Sequence, residues 1–231
     1  MTGSTASVRS MLVRNKLIRT AERLYAEQGL ASVSVRKIAI AAGQRNKSAV
    51  QYHFTSRDEL IKAILARHTA AIEKHRIVMV EALDASRVPS FEERMACLIM
   101  PTVEHHIELG TPSWYGRFLA QILVEPALRE HVMRAHLNTP SVRRLNELGH
   151  LGRRVCESLP AASEMIRQFA VHMCAELEYD LAHGRIAPAA ADTSWHQLGE
   201  DVIKAICGRT PHIADAVQYM PPLAGSAAVE M

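Results

Sequence analysis

The stretch from Arg45 to Tyr52 gathers Arg45, Asn46, Lys47, Ser48, Gln51 and Tyr52 within eight residues. Glutamine can bond adenine with two hydrogen bonds, and arginine or lysine suits the paired acceptors of guanine. Serine, tyrosine and backbone N–H groups suit phosphate oxygens, which position a protein without choosing a sequence. These types, presented together on one helix face, fit a duplex. The alternative is a helical hairpin whose polar side is merely solvated.

Other chemistry finds less support. The chain has no GxSxG elbow, no phosphate-binding loop and no dinucleotide fingerprint. Neither an enzymatic activity nor a cofactor is expected, and a helical enzyme stands as the distant rival. His105, His106, His172, His183 and His196 could converge on a metal, but no HExxH and no Cys/His cluster with ligand spacing is present. No metal is expected. Cys97, Cys156, Cys174 and Cys207 are far apart and lie inside apolar helical patterns, which reads as reduced thiols of a cytoplasmic protein. No window approaches 18 consecutive apolar residues, so no membrane span is expected.

The elements that must position the Arg45–Tyr52 stretch are helical. Leu17, Ile18, Ala21, Leu24 and Tyr25 repeat at three- and four-residue spacing and stop at Gly29. Ser34 can cap a second helix with Val35, Ile38, Ala39 and Ala42 inward. Gly43 permits a sharp turn, the two alanines allow close approach, and a short third helix from Lys47 to His53, capped by Asn46, plugs the core with Val50. Ser56 and Glu59 form a capping box for a long fourth helix.

The pattern continues to Cys207. Ser90 and Glu93 make a second capping box, and Pro101 should kink or restart the helix that follows. Thr111 and Pro112 open a segment carrying Trp114, Phe118 and Ile122, and Pro126 opens another. Helices are expected over 140–159, 163–183 and 194–207. Nothing requires a sheet, so the fold class is all-α. Residues 1–10 are expected to be disordered, 11–56 to form the helix-turn-helix domain, 57–207 a larger helical domain, and 208–231 a flexible tail.

Charge divides at the same place. Residues 1–68 hold twelve Lys and Arg against four Asp and Glu, whereas residues 69–231 hold fifteen against twenty. A basic third on an acidic remainder fits a polyanion partner for the first part only.

Several runs in order resemble the amino-terminal domain of TetR-family transcriptional regulators. They are Ala21 to Gly29, Ser34 to Ala39, Ala42-Gly43, Ala49 to Phe54 and Ser56 to Leu60. The resemblance covers Leu17 to His68. It implies an all-helical homodimer with three amino-terminal helices on DNA and a variable carboxy-terminal domain for a ligand and the dimer contact. It implies further a ligand-responsive repressor on a palindromic operator, with an effector acting by linkage through the fourth helix. Carried over by position, Arg45, Lys47, Ser48, Gln51 and Tyr52 are candidates for bases or phosphates, and Arg36 and Arg57 for phosphates. Many members have one residue fewer between this glycine and the phenylalanine matching Phe54, and an aromatic where Gln51 stands. The register of base contacts between Gln44 and Tyr52 therefore stays open.

In the second domain, Trp114, Phe118 and Gln121 share a helix face, and Met95, Met100, Ile122, Met133 and Met173 could join them around a mainly apolar small molecule. These residues could equally fill the core, leaving a dimeric DNA-binding regulator that senses no small molecule. Phe169, Met173, Leu177, Leu198, Val202 and Ile206 form apolar stripes that a second copy could cover in a four-helix arrangement. Burial within the subunit is the alternative.

Overall fold

The computed structural model describes residues 3–44, 48–84, 86–148 and 160–218. Among these, every regular element is helical. The order is α1 (Gly3–Gln28), α2 (Val35–Ala41), α3 (Ser48–His53), α4 (Arg57–Glu81), α5 (Phe91–Leu109), α6 (Tyr115–Leu123), α7 (Pro126–Leu137), α8 (Pro140–Leu148), α9 (Pro160–Ala182) and α10 (Ala191–Gln218). A single 3-10 turn, Pro188–Ala190, precedes α10. No helix is long and apolar enough to cross a membrane among the described residues.

The expected apolar spacing is realised in α1. Leu17, Ile18, Ala21, Leu24 and Tyr25 are all buried, and Gly29 closes the helix at φ 79° with its N–H on the Tyr25 carbonyl. The helix also runs back to Gly3, through most of the stretch expected to be disordered. At the other end α10 continues past Cys207 to Gln218, into the expected flexible tail. Gly208 costs only about 1 kcal/mol inside a helix, too little to end one by itself. Residues 219–231, and 149–159 of the helix expected over 140–159, lie outside the described set.

Ser56 caps α4, accepting from the Glu59 N–H at 3.1 Å. The expected capping box is not completed there. The Glu59 carboxylate reaches one residue further, where Thr55 offers both its N–H (2.6 Å) and its hydroxyl (2.7 Å). The box at Ser90 and Glu93 forms in full. Pro101 does not restart the helix, since α5 is continuous from Phe91 to Leu109 with the proline inside it. Cys97, Pro101 and Val103 are all buried, so packing on both sides of the proline outweighs the missing backbone bond.

Helix α6 starts at Tyr115, later than expected, and has no local side-chain cap. Its cap comes from α9. The buried Glu178 carboxylate accepts from the Gly116 N–H (2.8 Å), the Arg117 N–H (3.3 Å), the Arg117 Nε (2.9 Å) and the Ser113 hydroxyl (3.1 Å). Gly116 makes this seam possible, because a β-carbon there would sit 3.0 Å from the Cys174 carbonyl oxygen.

The largest apolar core runs from α1 through α4 into α6 and α7, uniting Leu17, Tyr25, Ile38, Val50 and Phe54 with Tyr115, Phe118, Ile122 and Val132. A second core joins α5, α9 and α10 through Val103, Leu181, Trp195, Leu198 and Val202. The thiols of Cys97, Cys174 and Cys207 are unpaired, and Cys156 lies outside the described residues.

Candidate nucleic-acid interface

Helices α2 and α3 meet at a tight turn. Ser34 caps α2, accepting from the Lys37 N–H at 3.2 Å. Gly43 takes φ 71°, a conformation that costs a side-chain-bearing residue free energy, and the Gln44 N–H closes the turn on the Ala39 carbonyl at 2.8 Å. Ile38, Ala39, Ala42, Val50 and Phe54 are buried beneath.

The opposite face of α3 is open. Gln51 is exposed, and Tyr52 is 80% exposed with its ring edge-on to His53. So large an aromatic left in water on a six-residue helix suits a partner better than a core. Ser48 opens α3, though its side chain is outside the described set, as are Arg45, Asn46 and Lys47 altogether. Arg36 is exposed on α2. Arg57 is exposed at the start of α4, its guanidinium 5.8 Å from the Tyr25 ring centroid. Phe54 is buried in the core.

Three cations beside this face were not singled out from the sequence. Lys37 is exposed one residue after Arg36. Arg14 of α1 lies 5.0 Å over the Phe54 ring, and burial, reinforced by Arg14, lowers the His53 pKa. A β-carbon at Gly43 would be 3.4 Å from the Lys16 ammonium nitrogen, which places that charge at the α2–α3 turn. Helical periodicity reports the buried side of α1; the run of cations without an acid before Glu22 was the available signal.

The amino-terminal helices are tied to the rest of the chain by a buried seam. His68 of α4 is fully buried, its Nδ1 2.7 Å from His105 Nε2 of α5 and its Nε2 3.0 Å from Glu22 Oε1 of α1. The second Glu22 oxygen accepts from Arg67 at 3.1 Å. Tyr115 stacks on His68 at 3.9 Å, and Tyr25 on Phe118 at 6.2 Å. Burial, reinforced by His68, lowers the His105 pKa to about 4. Burial, with His105 and His68 beside it, lowers that of His106 to about 3.

That seam redistributes the residues expected to bind a ligand. Phe118 and Ile122 are wholly buried in the core shared with α1. Gln121 meets the turn at Gly29, 3.4 Å from where a β-carbon would be. Met95 and Trp114 are partly buried, and Met173 is 39% exposed. The side chain of Met133 lies outside the described set. None of them lines the described cleft of about 310 Å³ between α4 and α7, whose walls include Lys62, Leu65, Thr69, Ala70, Glu73 and His131.

The expected dimer residues divide as well. Phe169 is 57% exposed, and Met173 is exposed one turn further along α9. Leu177 and Ile206 are partly buried against the second core. Leu198 and Val202 are buried inside the subunit with Val103, Leu181 and Trp195, and α5 takes the place imagined for a partner. The five histidines considered for a metal do not converge on one point: His105 meets His68, His106 stacks on Trp195, His183 on Tyr179, His196 lies 3.0 Å from Glu104, and His172 is exposed. Among the described residues no three His, Cys, Asp or Glu side chains are placed to hold a metal ion.

Residues 17–64 match the model of the family described as bacterial regulatory proteins, tetR family. No curated protein matches the chain. Solved structures similar to it include a TetR-family transcriptional regulator from Rhodococcus sp., 15% identical over 83% of this chain and 98% of that one, with a TM-score of 0.47. Another is a TetR-family transcriptional regulator from Mesorhizobium loti, 16% identical over 86% of this chain and 98% of that one, with a TM-score of 0.40.

Proposed function

We propose that this chain, a regulatory protein of the tetR family by its amino-terminal domain, is a homodimeric repressor that reads a palindromic operator with two copies of α3. The observation that carries this reading is the two-sidedness of α3. Val50 anchors it in the core, while Gln51 and Tyr52 project into solvent among cations of α1 and α2. Two such helices must enter the major groove about one DNA turn apart, roughly 34–36 Å. The exposed Phe169–Met173 side of α9 supports a dimer contact.

A small-molecule effector fits the cleft between α4 and α7 better than the Trp114–Ile122 face. Leu65, Ala66, Ala70 and Ala135 give it an aliphatic side, with Lys62 and His131 at hand for a polar end. An effector that binds better to a conformer with the two α3 helices at the wrong spacing lowers operator affinity by the same factor by which DNA lowers effector affinity. Helix α4 carries the coupling, because it lines the cleft and holds His68 of the buried seam.

The test is duplex binding by Gln51→Ala and Tyr52→Ala, starting from footprints on DNA adjoining the protein's own coding sequence. Each substitution is expected to weaken operator binding by about 1–3 kcal/mol, roughly 5- to 150-fold, with the melting temperature unchanged. Wild-type affinity in both variants overturns the assignment of α3.

A further inference from the structure

Helix α1 is longer than its role in the bundle requires. Among the described side chains Val13 is the first to pack on the core, ahead of the buried Leu17 and Ile18, yet the helix begins at Gly3, so about 15 Å of it precedes the core. The sequence up to Ala21 contains Arg9, Arg14, Lys16 and Arg19 and no acidic residue. Arg9 and Lys16 are seven residues apart, two turns on one side of the helix, and both are exposed. Lys16 is the cation at the Gly43 turn, so that side of α1 runs on from the α2–α3 surface. Among the described residues no acid pairs with Arg9, Lys16 or Arg19.

We propose that this Arg9–Lys16 face of α1 binds duplex phosphates outside the segment read by α3, widening each half-site footprint. The proposal rests on the DNA-binding reading above. Two observations choose this occupant. The charge is purely cationic, and the face is continuous with the interface that holds Tyr52. Val8, Met11 and Leu12 are also exposed on this stretch, so a second copy is the competing occupant. A symmetric contact there would set one row of cations against another, and their repulsion would oppose it.

The test uses the full chain and two duplexes, one ending at the base pairs protected by α3 and one carrying about four further base pairs on each side, the axial span of about 15 Å of helix. Wild-type protein should bind the longer duplex more tightly. Arg9→Ala should remove that gain, and its log K against log salt slope should fall by about 0.9 for each phosphate no longer neutralised, or about 1.8 per dimer. Arg9→Lys should keep both. On the short duplex Arg9→Ala and wild type should coincide. Wild-type affinity and slope for Arg9→Ala on the longer duplex overturn the proposal, as does a loss of dimer in sedimentation with DNA affinity per dimer intact. If wild-type protein prefers no duplex at all, the DNA-binding reading itself has failed and takes this proposal with it, whereas a failure confined to the flanks leaves α3 untouched.

Discussion

The α2–α3 surface and the α6–α9 seam use similar polar residues in opposite ways. At the first, Arg36, Lys37, Lys16, Gln51 and Tyr52 face water without an acidic partner among the described residues. At the second, Glu178 sits fully covered, its carboxylate filled by two backbone N–H groups, one guanidinium and one hydroxyl. Burial tends to raise the pKa of that carboxyl, and Arg117 and the amide donors oppose it. A buried charge has to be satisfied from within, so it serves architecture. An exposed cation costs little to leave open and stays available to an external polyanion. Polarity alone does not separate the two uses; the location of the partners does.

The sharpest way to break this contrast is Glu178→Ala. It leaves Arg117 and the α6 amides without their acceptor and should cost about 3–5 kcal/mol, seen as a large drop in melting temperature. A near-silent variant would mean that the seam is wet and its carboxylate replaceable.

Next comes the pair Leu198→Asp and Phe169→Asp. The first puts a charge in the α5–α9–α10 core and should unfold that region. The second should leave the melting temperature of the protomer near wild type and shift sedimentation toward monomer. If Phe169→Asp stays dimeric, the exposed side of α9 is not the contact.

Acid should act on the covered region through its buried histidines. His105 and His106 are held well below the ordinary histidine pKa, so between about pH 6.5 and about pH 4 the unfolded chain binds protons that the folded chain refuses. Stability should therefore fall as pH drops through that window, by at most about 1.4 kcal/mol per pH unit for each histidine. Denaturant melts at pH 7 and pH 5 check this, and equal midpoints would show that these histidines are not sealed from water. The smallest effect belongs to Ser34→Ala, about 1 kcal/mol from removal of the α2 cap, with operator binding weakened only as far as α2 frays.

Local signals were legible where a residue's own neighbours decide the outcome. The Gly43 turn, the Ser34 cap, the capping box at Ser90 and the inward sides of α1 and α2 all depend on contacts within about four residues. The type and inward face of α3 and the cationic bias of the first third could also be read in one dimension, and they carry the DNA-binding reading. Resemblance to a family sharpened that reading but did not choose among Gln44 to Tyr52.

Only the tertiary structure decided which apolar stripe meets which. Phe118 and Ile122 look alike on a helical wheel whether they line a cavity or fill a core; the packing of α6 on α1 made them core. Leu198 and Val202 could have faced a second chain; α5 reached them first. Pro101 was a place for α5 to restart, and burial on either side kept the helix continuous. Glu178 caps a helix 62 residues away, and the Glu22–His68–His105 seam joins three helices, because polar partners this distant in sequence are selected by desolvation in the folded core, which no local pattern encodes.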